Sequence, residues 1–185
     1  MTLDPREAAH ALSEIESAKE KSSALRGYAI AGNYLIVWGA AWIVGGGASA
    51  ISEDAGRIGW TVAVLGGAAA SVVLGLRERR TVGGSRASFG KVFATVGVVV
   101  ALSAALSLVL DVSSMREGTA LQALLVAAGY MAFGVWRGAR MLALGAALAA
   151  SVLFAWFYLG AGFEAFVGIA CGAMLLLSGL WLRRA

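Results

Sequence analysis

The sequence predicts an all-α polytopic integral membrane protein, a compact bundle of six transmembrane helices carrying an amphipathic helix at its N-terminal end. Three observations predict it. Of 185 residues, 59% are hydrophobic and 14% charged, with a mean hydropathy of +0.79, which is too apolar for an ordinary soluble core. Six apolar windows, at about residues 28–50, 58–76, 89–110, 119–136, 140–159 and 164–182, come close to or exceed the roughly twenty helical residues that cross a hydrocarbon core. Finally, thirteen of the fifteen Lys and Arg residues lie in the N-terminal segment, the 77–91 connector, the Arg137/Arg140 turn and the Arg183/Arg184 tail. The opposing connectors hold only Arg57 and Arg116. By the positive-inside rule this places both termini in the cytoplasm, and the expected location is a bacterial inner (plasma) membrane.

Residues 1–26 form the first unit, a cytoplasmic amphipathic helix. Asp4 at the N-cap, Pro5 at the first helical position and Glu7 one turn in make a strong start signal. Ala8, Ala11, Ile15, Ala18, Ser22 and Leu25 recur at intervals of three and four, a thin apolar stripe that suits packing on the bundle or on a sister subunit. Residues 27–185 form the second unit, the six-span domain. The first apolar run begins only near Gly27, behind charges of both signs, so no cleavable signal peptide is expected. Trp60, Trp136, Trp156, Tyr158 and Trp181 fall near window ends, as interfacial aromatics do.

The run RERRTVGGSR follows the second window directly. Its Arg77, Arg79, Arg80 and Arg86 orient the chain and are candidate contacts for anionic lipid headgroups.

Small residues recur at four-residue intervals inside the windows. Span two has Gly59, Ala63, Gly67, Ser71 and Gly75, and span five has Ala139, Ala143, Ala147, Ser151 and Ala155. Span one adds Ala41, Gly45 and Ser49, and span six Gly168 and Gly172. Such rows let helix backbones approach closely in lipid. The rows of spans two and five are offset by 80 residues, which pairs spans one to three with spans four to six. Either the halves form an inverted repeat, as in many secondary transporters, or small-residue helices resemble one another through low complexity.

Ionisable groups are nearly missing from the windows. Among the interior polar residues Asn33 is the most informative, because an amide cannot be satisfied by its own helix as a hydroxyl can. It shares span one with Tyr34, Trp38 and Trp42. These four either line a ligand cavity or form an aromatic stripe in the core or against lipid. One Cys (Cys171) and one His (His10) exclude an intramolecular disulfide and a histidine-based metal site, and no nucleophile, base and orienting group converge. No catalytic residue, cofactor or metal is therefore expected, and a pI near 9.6 reflects topology rather than nucleic-acid binding. The glycines of the basic run lack the Gly-Lys-Ser/Thr ending of a phosphate-binding loop, and no motif diagnostic of a known family appears.

Two functional classes follow. A non-enzymatic scaffold or accessory subunit would use its small-residue rows to pack within a homo-oligomer or against another membrane subunit, and its N-terminal helix to dock a partner. A small transporter or channel for an apolar or weakly polar solute would use the repeat and the polar and aromatic residues of span one.

Overall fold

The computed structural model describes the backbone of residues 5–82 and 86–184, and the side chains of 14–16, 30–78, 98–136 and 138–183. Every regular element among them is helical: α1 (Pro5–Ser49), α2 (Glu53–Val82), α3 (Arg86–Val109), α4 (Met115–Arg137), α5 (Ala139–Tyr158), the short α6 (Phe163–Phe166) and α7 (Gly172–Arg184). A 3-10 turn at Gly160–Gly162 precedes α6, and a π-helical turn at Val167–Cys171 joins α6 to α7, so these pieces form one span. Five stretches are long and apolar enough to cross a bilayer, and Val98–Val109 of α3 is a shorter apolar helix beside them. The expected helical membrane bundle is present.

Local chemistry explains most of the boundaries. The Ser52 hydroxyl accepts from the Ala55 amide (3.1 Å) at the start of α2, where Glu53 and Asp54 occupy the positive end of the helix dipole. At α4 the Ser114 hydroxyl accepts from the Glu117 amide (3.2 Å), while the Glu117 carboxylate accepts from the Ser114 amide (3.2 Å), a complete capping box. A single residue, Gly138, turns α4 into α5 with φ 124°, a conformation open to glycine and costly for other residues.

Two boundaries differ from those expected. Helix α1 runs for 45 residues with no break near residue 26, because SSALRGYA holds one glycine among residues that tolerate or favour helix. Its expected cap, Asp4, lies outside the described residues. The basic 77–91 connector is largely helix: α2 continues to Val82 and α3 begins at Arg86. Arg and Glu sustain a helix well, and the first adjacent glycine pair after Arg77 is Gly83–Gly84.

Helix α1 is central, with α2 on one side and the α6–α7 span on another. Helix α4 packs on α5, and α3 lies against α4. The α6 segment and the π-turn touch α1, α4 and α5, so Phe163 and Val167 help join the two groups of helices into one core with Leu35, Trp42, Ala127, Met141, Leu148 and Val152.

Candidate functional site

Three of the residues picked out on span one, Tyr34, Trp38 and Trp42, lie in the seam between α1 and α2. Trp42 is buried and meets Trp60 edge to face, with centroids 5.8 Å apart. Trp60 lies over Gly45, where an added methyl would come within 2.6 Å of the indole. Trp38 lies over Gly67, whose added methyl would sit 3.4 Å from the ring. The Tyr34 hydroxyl donates to Glu78 Oε2 (3.2 Å), tying the two helices at the basic end, and Asn33 is half-buried. Thus Trp38 fills the interhelical space against Gly67 of the neighbouring row, and Trp42 fills it against Trp60. Neither of the two grooves described below includes Asn33, Tyr34, Trp38 or Trp42.

The span-two row lies in the same seam. Gly59, Ala63, Gly67 and Gly75 are buried and Ser71 is half-buried. A methyl on Gly59 would collide with Ala48, and one on Gly67 would lie 3.5 Å from Ala41. Ser71, Thr61 and Ser151 donate back to the carbonyls four residues earlier, each at 2.8 Å, so these hydroxyls are satisfied within their own helices.

The span-five row is placed differently. Ala143 and Ala147 are exposed and Ser151 is half-buried, while the buried face of α5 carries Met141, Leu144, Gly145, Leu148, Val152 and Ala155. Ala143 and Ala147 floor a groove of about 320 Å³ between α5 and α7, with Leu177, Ser178, Arg140 and Trp181 along it. A second apolar groove, of about 420 Å³, lies at the opposite end among Leu110, Val112, Leu121, Leu124 and Trp156, with Glu117 at its edge. Among the candidate lipid contacts, Arg77 is exposed near the end of α2. The side chains of Arg79, Arg80 and Arg86 lie outside the described residues.

Three features are missing from the sequence reading. The first is a set of reciprocal glycine contacts between α1 and the last span, pairing Gly32 with Gly179, Gly39 with Gly172 and Gly46 with Gly168. A methyl on Gly39 would sit 2.7 Å from the Gly172 carbonyl oxygen, so the backbones touch. The seven-residue interval of Gly32, Gly39 and Gly46 carried this signal, because two helical turns return to nearly the same face.

The second feature is Arg116. It donates to the Trp156 carbonyl (2.6 Å) and lies 4.6 Å from the Trp156 ring and 5.3 Å from the Phe163 ring, which fastens α4 to the corner between α5 and α6. The third is a hydrogen bond from Gln122 of α4 to the hydroxyl of Ser103 on α3, where Ser103 is a buried polar residue.

Cys171 is buried, and no cluster of three metal-capable side chains occurs among the described residues. Comparison with known proteins finds no family, curated protein or solved structure that matches the chain.

Proposed function

We propose that the protein is a non-enzymatic scaffold or accessory subunit of a membrane assembly, seated in a bacterial inner membrane with both termini in the cytoplasm. The observation that carries this reading is the length of α1. Its 45 residues extend roughly 68 Å, more than twice a hydrocarbon core of about 30 Å. The central span therefore continues as a helical arm outside the lipid, and the arm's described apolar residue, Ile15, is 65% exposed. A partner bound to that arm would be coupled rigidly to the helix around which α2 and the last span pack. The thirteen-to-two distribution of Lys and Arg supports a cytoplasmic arm.

A second reading, a small transporter on a three-plus-three inverted repeat, is favoured by one observation. Helices α1 and α4, which open the two halves, each lie against the second helix of their own half and the third span of the other.

Deletion of residues 1–24 separates the two. The scaffold reading expects a folded bundle that no longer co-purifies with its partner subunits. Retention of the biological activity in that truncation, together with its loss in an Asn33→Leu variant of unchanged stability, would reverse the preference. Labelling of a cysteine at Ser113 from the external side, in a Cys171→Ser background, checks the orientation.

A further inference from the structure

We infer that the groove between α5 and α7 is a binding site for an anionic glycerophospholipid, with one acyl chain over Ala143 and Ala147 and the phosphate at Arg140. The groove pairs an apolar floor with a charged mouth. Ala143 and Ala147 are both exposed, and their small side chains leave a channel about two helical turns long between the larger Met174 and Leu177 of α7 and the body of α5. At its mouth the Arg140 guanidinium lies 4.7 Å from the centre of the Trp181 ring, so a cation is fixed against an interfacial aromatic. Arg183, exposed near the end of α7, adds positive charge at the same end. An apolar channel that ends at a fixed cation, with Arg183 at the same end, complements a lipid with an anionic headgroup.

Charge also argues against the other obvious occupant, a helix from a second copy. A two-fold interface through this groove, about an axis along the membrane normal, would bring Arg140 close to its own copy at the same depth. Like charges so placed repel, whereas a phospholipid of negative headgroup neutralises them.

The test is native mass spectrometry of the delipidated full-length protein, titrated with dioleoyl phosphatidylglycerol or with dioleoyl phosphatidylcholine. Wild-type protein should prefer phosphatidylglycerol. Arg140→Gln should weaken phosphatidylglycerol binding about fivefold, the equivalent of roughly one basic contact near a headgroup, and leave phosphatidylcholine unchanged. Ala147→Phe, which fills the channel from an exposed position, should weaken both lipids, while Arg57→Gln, at an exposed arginine on the opposite end of the bundle, should change neither by as much as twofold.

Four results would each overturn the assignment: no effect of Arg140→Gln; equal losses in Arg140→Gln and Arg57→Gln, which would mean diffuse attraction to positive charge anywhere on the protein; binding of soluble glycerol phosphate as tightly as the lipid; or an Ala147→Phe variant that keeps its lipid and falls from dimer to monomer.

Discussion

Helices α2 and α5 carry small residues at the same four-residue interval, yet the α2 row is a seam and most of the α5 row lies open. Four residues of an α-helix advance by one turn and about 40° more, so such a row winds around the helix rather than holding to one face. On α2 the drift is matched, because α1 presents Ala41, Gly45 and Ser49 at the same interval, and the two inclined rows mesh as ridges do in grooves. On α5 nothing among the described residues matches it. The row passes from exposed Ala139, Ala143 and Ala147 through half-buried Ser151 to buried Ala155, while the larger Met141, Leu144, Leu148 and Val152 hold the core face. A row of small residues is therefore a helix contact only where the facing helix carries a row that follows it.

The contact between α1 and the last span uses a different interval and should give the largest effect. Seven residues drift by only about 20°, so Gly32, Gly39 and Gly46 stay on one face along the whole contact. Gly172→Leu would drive a branched side chain into the backbone of α1, where even one methyl would lie 2.8 Å from the Gly39 carbonyl oxygen. A destabilisation at or above the top of the usual 1–3 kcal/mol overpacking range (roughly) is expected, read as a collapse of the thermal transition in detergent. If this variant melts with wild type, the glycine pairs are not a contact.

An intermediate effect is expected in the α1–α2 seam. Gly67→Leu must displace Trp38 and should cost about 1–3 kcal/mol, whereas Leu65→Ala, two residues away and 66% exposed, should stay within about 0.5 kcal/mol. Lipid solvates Leu65 about as well as protein does, so its removal opens no cavity. Equal melting of the two variants would detach the α2 row from α1.

How much of this was legible follows from which signals are local. Span positions and helical class are written in hydropathy, and the α2 row is written in its spacing. The α1–α2 seam was half legible: Ala41, Gly45 and Ser49 stood out, but that Trp38 and Trp60 would cover glycines of the facing helix depends on interhelical depth, which no single helix encodes. The Gly32, Gly39 and Gly46 row was present and overlooked beside the commoner four-residue interval. Arg116 read as one count in a charge asymmetry, because its partners, Trp156 and Phe163, are forty or more residues away. The π-turn at Val167–Cys171 has no marker in its sequence, VGIAC, that separates it from ordinary helix.

The smallest effect should come from Ala147→Leu, and it is the sharpest check on the comparison between the two rows. Read from spacing alone, Ala147 in α5 is the counterpart of Gly67 in α2, and a leucine there should separate two helices. In the structure Ala147 is exposed on the floor of the groove, so the added side chain extends into space between α5 and α7 without meeting a backbone. Its stability in detergent should lie within about 0.5 kcal/mol of wild type, as for most exposed substitutions. A loss comparable to that of Gly67→Leu would mean that a neighbouring helix covers the α5 row in the assembled protein. The small residues of α5 would then be an intersubunit seam, and the contrast with α2 would reduce to which partner, own chain or other, supplies the matching row.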